Sequence, residues 1–225
     1  MIEMHPYGSN AILINFEQDI QTDIHDHVIA LNQAVVNTIA EITATIPAYC
    51  SLTVCFDATK ITHQQLIQKV QALNKTLELQ TNTSEAPLIT IPVCYEAPFA
   101  IDMGNITKHT GLSPEAIIQQ HTNTIFRVYL LGFLPGFAYM GKLPPTLHCP
   151  RKTVPNAAIP KGAVGIAGYQ TGIYPSVSPG GWQIIGQTPL EVFQPQAEQP
   201  FLFQVGMQVQ FQAISSQAFY QQVNL

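Results

Sequence analysis

Apolar and polar positions change their period several times along the chain, and each change marks an element. Ala11–Phe16, reading AILINF, is a short apolar run that predicts a strand. Ile24, Val28, Leu31, Val35 and Ile39 then recur at helical spacing, predicting a helix over Thr22–Ile39 with Thr22 or Asp23 at its N-cap. Strand patterns return at Glu41–Ile46 and Ser51–Phe56 around a turn at Pro47. Leu66, Val70, Leu73 and Leu77 then mark one face of a second helix, capped by Thr62.

The order is therefore βαββα, with room for a further strand, which is most of a ferredoxin-like plait. Leu79–Pro87 (LQTNTSEAP) is polar, short and ends in proline, so a domain boundary is expected there, dividing the chain into 1–84 and 85–225. Beyond it, Leu88–Tyr95 and Thr124–Leu131 predict strands. Ile106–Thr110 and Pro114–His121 predict short helices, the second with Ser113 as N-cap and Pro114 at its first position. Short β segments follow at Ala163–Ala167, Trp182–Gly186, Leu190–Phe193, Pro200–Val205 and Gln208–Ala213, a pattern that favours a compact barrel or sandwich. The fold class is α+β, and no fixed-period repeat is present.

Composition singles out one stretch. Residues 132–189 hold 10 of the 14 glycines, 9 of the 17 prolines and no acidic residue. Glycine lets backbone approach a ligand and proline fixes φ, so such a run specifies a rigid path of turns. Interleaved aromatics, from Phe133 to Trp182, give it enough apolar area to pack, unlike a linker.

The chain has 46% hydrophobic and 10% charged residues, a balance that argues against disorder. No segment approaches the ~20 apolar residues of a membrane span, and MIEMHPYGSN lacks the pattern of an export signal, so a cytoplasmic location is expected. Cys50, Cys55, Cys94 and Cys149 lack paired metal-type spacing and read as reduced thiols. A net charge of −5 disfavours nucleic acid as a partner. All 14 acids lie at or before Glu115 or at or after Glu191, leaving Arg127, Lys142, Arg151, Lys152 and Lys161 in an acid-free interval that is expected to favour anions.

Gly162–Gly168 (GAVGIAG) lacks both the order of a dinucleotide loop and the GK[ST] ending of a phosphate loop, and reads as a tight β segment. Ser178–Trp182 (SPGGW) is either a structural turn or a cradle of backbone N–H groups for an oxyanion beside an aromatic wall. Arg151 is the strongest candidate anion clamp, with Lys161 second. Gln170, Thr171, Tyr174 and Ser178 could contact a small polar ligand or satisfy turn backbone. His121, His148, Asp102 and Glu115 form no triad or paired-carboxylate signature, and structural or capping roles are expected for them. His25 and His27 with Asp23 and Asp26 read as a polar helix start, since residues two apart on a helix face apart; no metal is expected. A candidate pocket short of acid–base groups suits a protein that binds, or completes a site with another subunit.

GFLPGFAYMGKLP, PRKTVP, IPKGAVGIAGYQTGIYP and SPGGWQIIGQTP, in that order, resemble the signature of the allophanate hydrolase subunit 1 family, which includes the B subunit of bacterial 5-oxoprolinase and Kip-type sporulation-kinase inhibitors. The resemblance covers roughly 88–212 strongly. It implies a small ferredoxin-like N-terminal domain and a C-terminal cyclophilin-like β-barrel. It also implies a partner of the allophanate hydrolase subunit 2 type and a third protein, which together open 5-oxo-L-proline to L-glutamate with ATP consumed by the assembled complex. Carried over by motif, the substrate-binding residues are Phe133, Pro135, Gly136, Phe137, Tyr139, Arg151, Gln170, Thr171, Tyr174, Ser178, Pro179, Gly180, Gly181 and Trp182. Arg151 and the SPGG backbone would meet an anionic group, and Tyr139 or Trp182 a flat ring. The sequence departs from the pattern at Asn156, where relatives often carry a second arginine that Lys152 or Lys161 could replace, at Glu96 and Ala97, and at Gly206 and Met207. The alternative implied functions are inhibition of a sensor histidine kinase and a carboxylase-like amide-processing role on urea derivatives.

Overall fold

A computed structural model of the 225-residue chain describes residues 2–77 and 87–223. The chain divides into two compact units, Met1–Glu85 and Ala86–Leu225. Apart from Pro87, the expected boundary segment Leu79–Pro87 lies outside the described residues.

The first unit contains β1 (Glu3–Tyr7), β2 (Ala11–Asn15), α1 (Thr22–Thr38), β3 (Ile42–Pro47), β4 (Ser51–Phe56) and α2 (His63–Leu77), with an antiparallel sheet of order β1-β2-β4-β3. Strand alternation makes its core: Ile12 and Ile14 pair with Val54 and Leu52, and all four are buried with Val28, Leu31 and Val35 of α1 and Leu66 and Val70 of α2. Burying each such side chain contributes about 1.5–3 kcal/mol. The βαββα order is present, but the fourth strand, β1, precedes it. Pro6 hid that strand, and it is tolerated because β1 lies at the sheet edge, where a missing N–H breaks no internal ladder. The N-cap of α1 is Gln21 rather than Thr22 or Asp23. Gln21 is still extended while Thr22 is already helical, which puts Asp23 in the first turn, near the positive end of the helix. Thr62 does cap α2, in a reciprocal box: Thr62 Oγ1 accepts from Gln65 N–H at 3.3 Å, and Gln65 Oε1 accepts from Thr62 N–H at 3.0 Å.

The second unit runs β5 (Leu88–Cys94), α3 (Met103–Thr110), α4 (Pro114–Asn123), β6 (Ile125–Leu131), β7 (Ala138–Gly141), β8 (Asn156–Ile159), β9 (Ala163–Ala167), β10 (Gln170–Ile173), β11 (Ser178–Gly180), β12 (Gln183–Gln187), β13 (Gln208–Ile214) and α5 (Ser216–Val223), with a 3-10 turn at Pro145–Leu147. Seven strands close a barrel in the order β10-β7-β6-β13-β5-β12-β9, while β8 and β11 form a separate two-stranded sheet. The pair β5–β13 is parallel, from Leu88↔Gln208 to Cys94↔Ile214, so the barrel closes through chain segments distant in sequence. At α4, Ser113 Oγ accepts from Ala116 N–H at 3.2 Å with Pro114 in the first turn.

The barrel strands bury both faces. Val164 and Ile166 of β9, Ala138 and Met140 of β7, Ile173 and Ile185 belong to the large core with Ile91, Phe126 and Phe211. Their neighbours Ala163, Ala167, Phe137, Tyr174 and Ile184 form a second, smaller cluster with Ile159 of β8 and Trp182. Period-two alternation thus sends one row into the barrel and the next into an aromatic layer.

Leu190–Phe193 and Pro200–Val205 are not strands. They meet only at an isolated bridge, Phe193↔Phe201. Val192 and Phe203 are apolar because they plug the barrel core, and Pro195 and Pro200 withhold the donors a ladder needs. No helix among the described residues is long and apolar enough to cross a membrane. The four cysteines are free, with Cys94 and Cys149 buried and Cys50 and Cys55 half-buried; burial pushes the Cys149 thiol up to about 11.

Candidate functional site

The aromatic layer is built around Phe137, which is 1% exposed. Its ring stands edge-on to Tyr139 (4.8 Å between centroids), Tyr174 (5.1 Å), Trp182 (5.4 Å) and Phe133 (5.6 Å). Edge-to-face contacts of this kind add about 0.5–1.5 kcal/mol each beyond area burial and hold the rings at fixed angles. Against them opens a cavity of about 240 Å³, lined by Phe133, Phe137, Tyr139, Arg151, Pro155, Tyr174, Pro179, Gly180, Gly181 and Trp182.

Of the residues expected at a site, Phe133, Phe137, Tyr139, Arg151, Tyr174, Pro179, Gly180, Gly181 and Trp182 therefore meet at one cavity, whereas Pro135, Gly136, Gln170, Thr171 and Ser178 do not line it. Gly136 has φ +86° and a Cβ there would lie 2.6 Å from Phe193 Cβ, so it serves the turn that presents Phe137. Gln170 opens β10, paired with Gly141 and Ala167. Thr171 points into the barrel core and is fully buried. Ser178 is buried in β11 opposite Ile159, and its hydroxyl has no hydrogen-bond partner among the described residues. Pro155 was missed, although it closes the same PRKTVP segment that begins with Pro150 and Arg151.

The SPGG segment is not a turn with a row of free N–H groups. Ser178–Gly180 is a strand paired with β8, and the Trp182 backbone N–H is engaged by the Tyr174 hydroxyl. Gly180 is required because a Cβ would fall 2.5 Å from that hydroxyl and 2.6 Å from Ile159 Cδ1. The close approach brings backbone to the cavity wall without making a nest of donors.

The acid-free interval in sequence is not acid-free in space. Lys152 pairs with Asp102 at 2.6 Å and Lys161 with Glu191 at 2.5 Å, so neither lysine is available to replace a second arginine. Arg151 is exposed, faces the cavity and has no hydrogen bond or ion pair among the described residues. Burial raises the Tyr139 phenol, with Arg151 pulling the other way. Burial also pushes the Tyr174 phenol up to about 12, against the opposing pull of the Trp182 N–H and Arg151. Both phenols are thus protonated at neutral pH beside a permanent cation. No carboxylate or histidine lines the cavity, so its own residues can bind and polarise an anion but offer no general base at neutral pH.

His121 is accounted for elsewhere. Thr171 Oγ1 donates to Gly165 O at 3.1 Å and accepts from His121 Nε2 at 3.0 Å, which leaves His121 Nδ1 to accept from the Tyr95 hydroxyl at 2.8 Å. Burial holds His121 down to about 3, so it is neutral, and Phe211 stacks on it at 4.4 Å. His148 bonds Leu143 O, and His27 bonds Asn74 at 2.7 Å. No group of three or more metal-binding side chains occurs among the described residues.

The model of the family described as carboxyltransferase domain, subdomain C and D, matches residues 2–203. A Bacillus subtilis (strain 168) protein named as the B subunit of 5-oxoprolinase is 35% identical over 229 residues, covering 97% of this chain and 95% of that protein. The protein of the same name from Haemophilus influenzae is 43% identical over 146 residues, 65% of this chain and 68% of that one. Among solved structures, TTHA0988 superposes with a TM-score of 0.80 at 29% identity over 96% of this chain, which spans 41% of the longer TTHA0988 chain.

Proposed function

Because the chain belongs to the family of carboxyltransferase domains, subdomains C and D, we propose that it is the B subunit of an ATP-dependent 5-oxoprolinase complex that opens 5-oxo-L-proline to L-glutamate. In this reading the first unit is a ferredoxin-like plait and the second a cyclophilin-like barrel. The carrying observation is Arg151, a guanidinium with no ion pair among the described residues, at a cavity walled by aromatic rings and flanked by two protonated phenols. A small flat ring bearing a carboxylate fits that chemistry: Arg151 meets the carboxylate or the developing oxyanion, Tyr174 donates a hydrogen bond, and Trp182 packs on the ring.

The overall reaction adds one water across the lactam C–N bond and consumes a second as ATP becomes ADP and phosphate. The cavity has no base to activate that water. The base therefore comes from elsewhere in a cytoplasmic hetero-oligomer, from a protein of the allophanate hydrolase subunit 2 type or from the third component. Reconstitution with both partners, ATP and 5-oxo-L-proline should release glutamate only when this chain is present, and Arg151→Ala should depress the rate. Equal turnover with Arg151→Ala would remove the anion role. Turnover independent of the chain, with inhibition of a sensor histidine kinase by the chain alone, would replace the enzymatic reading with a regulatory one.

A further inference from the structure

Lys152 follows Arg151 in the chain but turns away from the cavity. Its ammonium lies 2.6 Å from Asp102 Oδ1, with the two side chains 18% and 5% exposed, and also donates to Asn156 Oδ1 at 2.9 Å. The other oxygen of Asp102 accepts from Ile184 N–H at 2.9 Å, and the Asp102 N–H donates to Ile184 O at 2.9 Å. The Lys152 N–H donates to Gly181 O at 2.7 Å, and Gln183 Nε2 donates to Pro150 O at 3.3 Å. The segment that presents Arg151 is thereby tied to the segment that presents Trp182 from both sides of Trp182. Neither Asp102 nor Lys152 lines the cavity.

A buried ion pair is a poor source of stability, because desolvation offsets most of the attraction. What this one supplies is geometry. Arg151 is exposed and lies in a segment without regular secondary structure, so its long side chain has an entropic cost of ordering that a fixed backbone reduces. We propose that Asp102 and Lys152 are positioning residues that hold Arg151 opposite Trp182, with Asn156 completing the clamp through its bond to Lys152. The proposal rests on the cavity's being an anion seat, and it gives the buried pair a role in recognition.

Trp182 is the chain's single tryptophan, so its emission reports this cavity. The full chain would be titrated with 5-oxo-L-proline and, separately, with inorganic phosphate, as wild type, Arg151→Ala, Lys152→Met and the double variant. Lys152→Met should weaken binding about tenfold and Arg151→Ala at least as much, while the double variant is no weaker than Arg151→Ala alone. Lys152→Arg should recover most of the loss. A merely structural pair would lower the melting temperature yet leave the two affinity losses additive, and additive losses overturn the clamp. If Lys152→Met does not fold, Asn156→Ala carries the same cycle, with a two- to threefold loss that vanishes in the Arg151→Ala background. Wild type that saturates with neither probe overturns the anion seat and the clamp together. Saturation with additive losses overturns the clamp alone.

Discussion

Two sets of hydrogen-bonding side chains in the second unit have opposite fates. In the barrel core, Tyr95, His121 and Thr171 form a chain that ends on Gly165 O, and the three residues are 6% exposed or less. Against the outer aromatic layer, Arg151 faces a cavity with no partner of its own among the described residues. The core chain contains the residue types of a catalytic relay, histidine beside two hydroxyls, yet its hydrogen bonds end inside the protein. The outer set lacks such a relay and keeps its strongest donor available. Residue type pointed to Arg151 as an anion clamp and to a structural role for His121 but also placed Thr171 at the ligand, and partner satisfaction separates the two sets.

The largest effect that can break this contrast is on the core side. His121 has an ordinary value of 6.5 and is held at about 3 when folded, so the unfolded chain takes up a proton that the native state refuses. Its contribution is therefore fully present above pH 6.5 and is lost as pH falls toward 3, at about 1.4 kcal/mol per pH unit and roughly 4–5 kcal/mol in all. Denaturant unfolding at several pH values should show that slope, and His121→Gln should flatten it. An unchanged slope would mean that His121 is not held neutral by its surroundings.

On the cavity side, Arg151→Ala should reduce glutamate release by the reconstituted complex about 100-fold, or ~3 kcal/mol, with little change in melting temperature. Thr171→Val, one step smaller, keeps the shape but orphans the His121 N–H. Calorimetry should find about 1–3 kcal/mol of stability lost, with turnover per folded molecule retained. Smallest is Thr62→Ala, which removes the capping box of α2 in the first unit and should cost about 1 kcal/mol by denaturant titration without touching ligand affinity.

Local signals were the legible ones. The caps Thr62 and Ser113 are encoded by neighbours three residues away, and the structure bears them out. The strands Ala163–Ala167 and Gln208–Ile214 stand where apolar runs predicted them. Strand parity was not legible where both faces are buried: GAVGIAG is uniformly apolar or small and QTGIY does not alternate cleanly, so nothing marked Thr171 as inward and Tyr174 as outward. Apolar runs ending at prolines misled for the opposite reason, since Val192 and Phe203 are plugs rather than strand residues. Charge was misread because a gap in sequence was taken for a gap in space, whereas Asp102 reaches Lys152 across 50 residues. The aromatic cavity was legible as a composition, the density of Gly, Pro and rings in one stretch, before any contact among them was known.

The contrast between available and satisfied polar groups is tested most directly by kcat/KM for 5-oxo-L-proline, per folded molecule, in complexes carrying Arg151→Ala or Thr171→Val. The account predicts a loss of about two orders of magnitude for Arg151→Ala and wild-type turnover for Thr171→Val. Wild-type turnover with Arg151→Ala and collapse with Thr171→Val would contradict it, and would move the chemistry from the outer cavity to the barrel core.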